Sequence, residues 1–237
     1  MTRSMIKQYS QLVEFLSRAL GPDYEITLCD LSDKNNSIVA IANGQISGRS
    51  IGAPLTNVAL KLIAEKSYEQ EDYRINYSGI SVGNRVLRSS TMFIKDDAGK
   101  LVGLLCINFD DSRYQELSTK LFQLCHPDAF VSKNRSYEAV EQTAAPDEER
   151  ESFHNSISAV TEDVLSQVLA KNSAPVDRLT QEEKMKIVGA LEQRGVFMLK
   201  GAVHYIAQRL CCSQASIYRY LSKISKNQQD PQNKNSG

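Results

Sequence analysis

The sequence predicts an α+β protein in two parts, an N-terminal antiparallel five-stranded sheet with helices and an all-α C-terminal part. Five short apolar or alternating segments, separated by turn residues, lie between positions 24 and 109 and predict the sheet. Two short amphipathic segments that meet at a break near position 212 predict the helical part. The 28 basic and 28 acidic residues cancel over 237 residues, yet the C-terminal part is locally basic. This asymmetry supports two parts with different roles.

The N-terminal part begins with an apolar helical stripe from Ile6 to Leu20, which Gly21-Pro22 ends. A helix at Thr56–Lys66 separates the second predicted strand from the third. Two strands, short helices and three meandering strands predict an α+β sandwich with helices on one face. This order of elements is that of a PAS-type sensor domain, which we place at residues 1–130. The five predicted strands are Tyr24–Leu31, Ser37–Ala42, Tyr73–Tyr77, Arg85–Lys95 and Lys100–Phe109.

Residues 131–177 are predicted to form an acidic linker followed by an amphipathic helix. A helix over Ser112–Phe130 leaves the sheet, and the polar, acidic stretch Tyr137–Arg150 should be open to proteases. A second helix spans Ser152–Lys171, and its apolar stripe suits either a dimer interface or packing on the chain's own domains. The stripe consists of Phe153, Ile157, Val160, Val164 and Val168.

Residues 178–227 predict a helix-turn-helix domain, followed by a disordered tail at 228–237. A capping box at Thr180–Glu183 opens a helix that runs through Arg194. Two short helices follow, with Ser213 as a good N-cap for the second and the small Ala207 at their crossing. A plain helical hairpin in a core is the alternative, but the capped turn and the basic charge disfavour it.

The outer face of the last helix predicts contacts with double-stranded DNA, because the second helix of this motif lies in the major groove. Gln214 can pair with adenine and Arg219 with guanine, while Ser213, Ser216 and Lys223 suit phosphates. No acidic residue occurs from position 193 to 229. The predicted DNA-binding residues are Lys200, Ser213, Gln214, Ala215, Ser216, Tyr218, Arg219, Ser222 and Lys223.

One position departs from the usual turn, which carries a glycine four residues after the small alanine. Here that position is Cys211, and a left-handed conformation costs a non-glycine residue about 1 kcal/mol. The neighbouring Cys211 and Cys212 are either a redox switch or small apolar filler, and the second interpretation is favoured.

The composition predicts no enzyme, cofactor or metal site. His126, His154 and His204 lie in separate segments without acidic or cysteine partners at ligand spacing, and the five cysteines show no CxxC pattern. No segment is long and apolar enough to span a membrane, and a signal peptide's apolar core is lacking. We therefore expect reduced thiols and a cytoplasmic protein, associated with the nucleoid when bound to DNA.

A candidate effector site lies on the predicted sheet, because PAS-type domains hold ligands between the sheet and the opposite helices. A cation beside hydroxyl groups, as in Arg88-Ser-Ser-Thr91, would suit a small anionic metabolite. The alternative is that Ser89, Thr91 and Cys106 are core or cross-strand pairs and that Arg88 is solvated. The candidate ligand-binding residues are Arg49, Arg88, Thr91, Cys106 and Asn108.

The chain resembles the YheO/DauR-type bacterial transcriptional regulators over nearly its whole length except the acidic linker. The resemblance implies a PAS-like domain, a C-terminal helix-turn-helix and sequence-specific DNA binding, with repression in at least some members. The Cys211-Cys212 pair departs from the more usual Gly-Val at the turn. The strings that carry the resemblance are Ser37–Gly44, Ser47–Arg49, Leu87–Thr91, Gly103–Asp110, Lys200–Ala202 and Ser216–Tyr220.

Two functions remain open from the sequence. The first is a DNA-binding transcriptional regulator with a sensor domain. We expect a homodimer because one helix-turn-helix contacts only a short half-site, and the family resemblance implies a repressor. The second is a small-molecule sensor or adaptor whose C-terminal helices bind a protein instead of DNA. The sequence favours the first.

Overall fold

The computed structural model describes residues 1–126, 151–170 and 176–229. The predicted proteolytic site at positions 137–150 and most of the predicted tail at 228–237 lie outside these residues. In this part of the chain the predicted elements occur in the predicted order, and the structure adds the short strand β6. The elements are α1 (Arg3–Leu20), β1 (Tyr24–Asp30), β2 (Ile38–Ala42), α2 (Asn57–Ala64), β3 (Tyr73–Ile80), β4 (Val86–Lys95), β5 (Leu101–Phe109), α3 (Ser112–Cys125), β6 (Glu151–Ser152), α4 (Ile157–Leu169), α5 (Gln181–Gln193), α6 (Ala202–Arg209) and α7 (Gln214–Gln229).

The sheet has six strands in the order β2-β1-β5-β4-β3-β6. The first five pair antiparallel, as the sequence predicts. The prediction of a helix from Ser152 onward is wrong at its start, because Glu151 and Ser152 pair in parallel with Gly79 and Ile80 on β3. Helix α4 begins only after Ser156, whose hydroxyl accepts the amide of Ala159 at 3.2 Å.

Helices cover both faces of the sheet, which corrects the expectation of helices on one face. Helix α1 packs its apolar stripe, centred on Val13, against Ile26, Leu28 and Leu105. The opposite face packs under α2 and continues without a break into the core of the C-terminal helices. Because both faces are buried, the central strands carry apolar residues on both sides and alternate only weakly.

Helix α4 lies between α2, α5 and α6, and its apolar stripe is used within the chain. Val160, Val164 and Val168 are at most 5% exposed, and Phe153 before the helix is equally buried. The stripe is therefore covered by the chain's own elements, and the interpretation of it as a dimer interface is wrong.

The C-terminal helices form as the capping signals predict. The Thr180 hydroxyl accepts the amide of Glu183, and the Glu183 carboxylate accepts the amide of Thr180 in return, so the predicted capping box is present. Ile187, Val188 and Leu191 on α5 pack under Ile206 and Ile217 of the two following helices. This packing fixes the angle at which α7 is presented to solvent.

Candidate DNA-binding surface and buried polar cluster

The turn between α6 and α7 has the geometry of a helix-turn-helix. The Ser213 hydroxyl accepts the amide of Ser216 at 3.2 Å and caps α7. The amide of Cys212 donates to the carbonyl of Ala207 at 3.0 Å, which ties the turn back to α6. Ala207 is buried, so a larger side chain at this crossing would push the helices apart.

Cys211 adopts the left-handed conformation that its position in the turn predicts, with φ at 49°. Its side chain is exposed, whereas Cys212 packs partly against the core. The two thiols therefore have different surroundings, and the filler interpretation fits Cys212 alone. All five cysteines are free in the structure.

Helix α7 has one buried face and one exposed face. Ile217 and Tyr220 are buried in the core that α7 shares with α5 and α6. The predicted DNA-binding residues lie on the other side of α7, except that Ser213 lies in the turn before it and Lys200 lies just before α6. Ser216 is half-buried, and the rest are exposed. Those exposed residues are Lys200, Ser213, Gln214, Ala215, Tyr218, Arg219, Ser222 and Lys223.

Contacts along the exposed face preorganise some of these side chains. The Gln214 amide nitrogen lies 3.2 Å from Nδ1 of His204, and the hydroxyls of Ser213 and Ser216 lie 3.0 Å apart. The Arg219 guanidinium lies 5.9 Å from the centre of the Tyr220 ring, within the range of a cation–π contact. His204 was not predicted as part of this surface, because only the crossing of α6 and α7 brings it beside Gln214.

Two of the basic residues in this part of the chain are engaged elsewhere. Arg209 forms a two-pronged ion pair with Glu162 of α4, at 3.0 Å from Nε and 2.6 Å from an Nη atom. Tyr205 donates to the same carboxylate at 2.9 Å, and the two partners together lower the pKa of Glu162 despite partial burial. Arg194 donates to Gln167 of α4 at 2.9 Å. The positive surface is therefore narrower than the sequence alone indicates.

Arg88 does not face the interior of the sensor domain. Along β4, Leu87, Ser89 and Thr91 are buried, while Arg88 points to the other side and is exposed. Its guanidinium donates to Asn76 Oδ1 at 3.3 Å and lies 5.1 Å from the centre of the Phe109 ring. The prediction that Arg88 contacts an effector inside the domain is wrong, which removes the main argument for a small anionic effector.

Thr91 and Cys106 do lie on the inner face, as a cross-strand pair between β4 and β5. The Thr91 hydroxyl lies 2.8 Å from the Tyr77 hydroxyl and donates to Cys106 Sγ at 3.3 Å. The alternative interpretation of these two residues, as satisfied cross-strand neighbours, is the one that the contacts support.

Arg49 and Asn108 belong to a buried polar cluster centred on Glu25. One carboxylate oxygen of Glu25 accepts the Asn108 amide at 2.8 Å, and the other accepts the Ser47 hydroxyl at 2.6 Å and the Ser47 amide at 3.1 Å. Arg49 donates to the carbonyl of Pro54. Burial raises the pKa of Glu25, while the hydrogen bonds from Ser47 and Asn108 and the charge of Arg49 oppose the rise.

Glu151 enters the same cluster from β6, more than a hundred residues away from Glu25. One carboxylate oxygen accepts the Thr56 hydroxyl at 2.7 Å. Burial raises the pKa of Glu151, and the Thr56 hydrogen bond and the nearby Arg49 charge act against the rise. Sequence reasoning missed Glu151, since nothing in the acidic stretch distinguishes it from Glu148 and Glu149.

Comparison with known proteins agrees with this architecture. Residues 1–126 match the YheO-like PAS domain family, and residues 160–222 match a helix-turn-helix domain family. The chain belongs to the YheO-like PAS domain family. The second match begins within α4 and ends within α7, and it includes every residue of the exposed α7 face described above except Lys223.

Three relatives align with this YheO-like chain over nearly its full length. An uncharacterised protein of Haemophilus influenzae is 27% identical over 231 residues, 96% of this chain and 94% of that protein. YheO of Escherichia coli K12, also uncharacterised, is 25% identical over 221 residues, 93% of this chain and 85% of YheO. The transcriptional regulator DauR of Pseudomonas aeruginosa is 23% identical over 221 residues, 93% of this chain and 95% of DauR. The chain therefore has the domain architecture of a DNA-binding regulator.

Two further findings apply to the part of this YheO-like chain that the structure describes. No described helix is both long and apolar enough to cross a membrane. Within the same residues, no group of three or more histidine, cysteine or acidic side chains is placed to hold a metal ion.

Proposed function

We propose that this protein is a sequence-specific transcriptional repressor that binds its operator as a homodimer and responds to a small molecule held by its PAS domain. The observation that carries the DNA-binding part is the exposed face of α7, where Gln214, Arg219 and Lys223 lie opposite the buried Ile217 and Tyr220. This arrangement suits insertion into a major groove, with Gln and Arg at base edges and Lys at phosphate.

The homodimer follows from the short reach of one recognition helix, which contacts only a half-site. With the α4 stripe buried, helix α3 offers the alternative surface. Four large apolar side chains on α3 are between 55% and 84% exposed, and their spacing of three, four and three residues is that of a coiled-coil seam. They are Tyr114, Leu117, Leu121 and Leu124. Pairing of α3 with its copy would bury this seam.

Repression and sensing rest on how the two parts are connected. Glu162 of α4 pairs with Arg209 of α6, and α4 continues from β6, which carries Glu151 into the sensor domain. A ligand that shifts β6 would thus shift the support of the helix-turn-helix. The family resemblance supports repression as the output.

The experiment that tests DNA binding is selection of bound fragments from genomic DNA, followed by titration of the selected site at several salt concentrations. DNA binding should weaken steeply with salt because counterions are released from the phosphates. Salt-independent binding, or no enrichment of any sequence, would favour an adaptor whose C-terminal helices bind a protein.

A further inference from the structure

His204 contacts the exposed face of α7 from the other helix of the helix-turn-helix. It lies in the first turn of α6 with an exposed side chain. Its Nδ1 atom is 3.2 Å from the amide nitrogen of Gln214, the first residue of α7. Within the described part of the chain, no other side chain of the exposed α7 face hydrogen-bonds to a side chain of α6. Gln214 is thus the one member of this face that α6 holds in place.

The backbone on both sides of this contact is fixed by packing. Ile206 of α6 and Ile217 of α7 are fully buried in the shared core, and the small Ala207 is buried beside them. The amide of Cys212 donates to the carbonyl of Ala207 at 3.0 Å, which ties the turn to α6. His204 and Gln214 therefore meet because the two helices cross at a fixed angle, although both side chains are exposed.

The contact decides which atoms of both side chains remain available. The amide nitrogen of Gln214 carries two hydrogens and can only donate, so Nδ1 of His204 accepts and the ring proton lies on Nε2. One hydrogen of the Gln214 amide is used in this bond. The second hydrogen and the amide oxygen remain, so Gln214 presents one donor and one acceptor in a defined order.

A donor and an acceptor in a defined order match adenine better than guanine. In the major groove adenine presents N7 as an acceptor and the N6 amino group as a donor, whereas guanine presents two acceptors, N7 and O6. With its free hydrogen directed to N7, Gln214 places its oxygen beside N6 of adenine, where it accepts a hydrogen bond. Beside O6 of guanine the same oxygen meets another acceptor and is repelled. A glutamine that nothing holds can turn its amide and donate to O6.

We propose that His204 is a positioning residue for base recognition, which holds the amide of Gln214 in the orientation that selects adenine over guanine. It acts through Gln214 and contacts no base itself. Residues near the start of the recognition helix reach the base edges in this motif, and Gln214 is the first residue of α7. The assignment deepens the DNA-binding part of the proposed function and rests on it.

A phosphate contact through Nε2 of His204 is the competing role, because phosphates accept hydrogen bonds from polar side chains. Such a contact would raise the affinity for every sequence alike and would carry no base preference. The two roles use different atoms of one ring, so substitutions can separate them. Asparagine places an acceptor oxygen near the position of Nδ1 and has no counterpart of Nε2, whereas leucine has neither.

The test uses the full-length protein with the DNA site selected from genomic DNA and its single-base variants, at fixed salt and pH. The protein variants are His204→Asn, His204→Leu, Gln214→Ala and the double variant that combines His204→Leu with Gln214→Ala. Gln214→Ala identifies the base pair at which its preference is lost. The readout is the ratio of the affinities for A·T and G·C at that pair, because a folding defect or a lost phosphate contact lowers both affinities equally. The preference at the pair that Arg219→Ala affects is the internal control.

His204→Leu should lower the preference for A·T over G·C at the Gln214 pair about two- to tenfold per half-site, which is the usual net contribution of one hydrogen bond. His204→Asn should retain the preference, since its side-chain oxygen still accepts from the Gln214 amide. In the Gln214→Ala background, His204→Leu should change the ratio no further, because the two residues act as one unit. The preference at the Arg219 pair should stay the same in all the His204 variants.

An unchanged ratio in His204→Leu would overturn the assignment. So would the absence of any base preference that depends on Gln214, a wild-type preference for a base other than adenine at its pair, or an equal loss for all sequences in both His204 variants. In each of these cases the wild type still binds its selected site, so the DNA-binding function stands. No enrichment of any sequence by the wild type would instead refute the DNA-binding function, and this inference with it.

Discussion

Replacing Arg219 with alanine should weaken operator binding without weakening the fold. Arg219 is exposed on α7, and its one aromatic contact is with the adjacent Tyr220 ring at 5.9 Å. Truncation of such a surface residue changes the free energy of unfolding by less than about 0.5 kcal/mol. If the guanidinium donates to one guanine, its loss costs about 1–3 kcal/mol per half-site. A dimer on two half-sites would lose roughly twice that, about 2–6 kcal/mol, or a factor of roughly 30 to 10⁴ in affinity.

The assay is a fluorescence-anisotropy titration at fixed salt, with the operator and single-base variants of each half-site. Arg219→Ala should also lose preference at one base pair per half-site. Lys223→Ala should instead weaken all sequences alike and reduce the salt slope by about one unit per contact, because Lys223 lies one turn farther along and suits phosphate.

Two controls separate charge and folding from base recognition. Arg88→Ala removes the same charge from the sensor domain, so its operator affinity should match the wild type. Ile217→Ala opens a cavity in the core and should destabilise the protein by about 2–5 kcal/mol. If folded Arg219→Ala binds the operator and all base variants as the wild type does, Arg219 contacts no base, and the placement of α7 in the groove is refuted.

Three further predictions concern the turn, the dimer and the buried carboxylate. Cys211→Gly should raise the free energy of unfolding by up to about 1 kcal/mol, because Cys211 has a φ of 49° and an exposed side chain; an unchanged or lower urea midpoint would contradict this. The double variant Leu117→Glu and Leu121→Glu should be a monomer in analytical ultracentrifugation, whereas the control Phe15→Glu, at an exposed position of α1, should remain a dimer. If both variants remain dimers, α3 is not the interface. Burial raises the pKa of Glu151 in the folded state, so its contribution to stability is greatest below the ordinary glutamate pKa of about 4.3 and is lost as the pH rises through the folded value. Glu151→Gln should therefore flatten the stability profile above that pH and stabilise the protein at neutral pH; an unchanged profile in chemical denaturation would show that Glu151 keeps its ordinary pKa.

Local signals in the sequence account for the elements and for much of the DNA-binding surface. Strand boundaries, the Thr180 capping box and the Ser213 cap follow from turn residues and side-chain hydrogen bonds within four positions, so they need no tertiary information. The left-handed Cys211 was likewise predictable from its place in the turn. The buried face of α7 follows from helical periodicity, and the exposed face is its complement.

The sensor site depended on tertiary structure at each step. Arg88 and Ser89 lie on opposite faces of β4, and alternation alone could not tell which face the helices cover; in the structure the Ser89 face is buried and the Arg88 face is exposed. Helical periodicity likewise predicted the apolar stripe of α4 but not what covers it. In the structure the stripe packs in the chain's own core and is not free to pair with a second copy.

By itself the sequence determined where most strands and helices lie, though not β6 or the start of α4, and it determined how the helix-turn-helix is capped and which side of α7 faces solvent. These features depend on residues a few positions apart, where backbone hydrogen bonding and periodicity dominate. Only the tertiary structure decided that Arg88 faces out, that Glu162 holds Arg209, and that Arg49, Asn108 and Glu151 meet under the sheet. The physical reason is that desolvation and charge pairing depend on which residues are close in space. Residues 49, 108 and 151 become neighbours only when β6 pairs with the edge of the folded sheet.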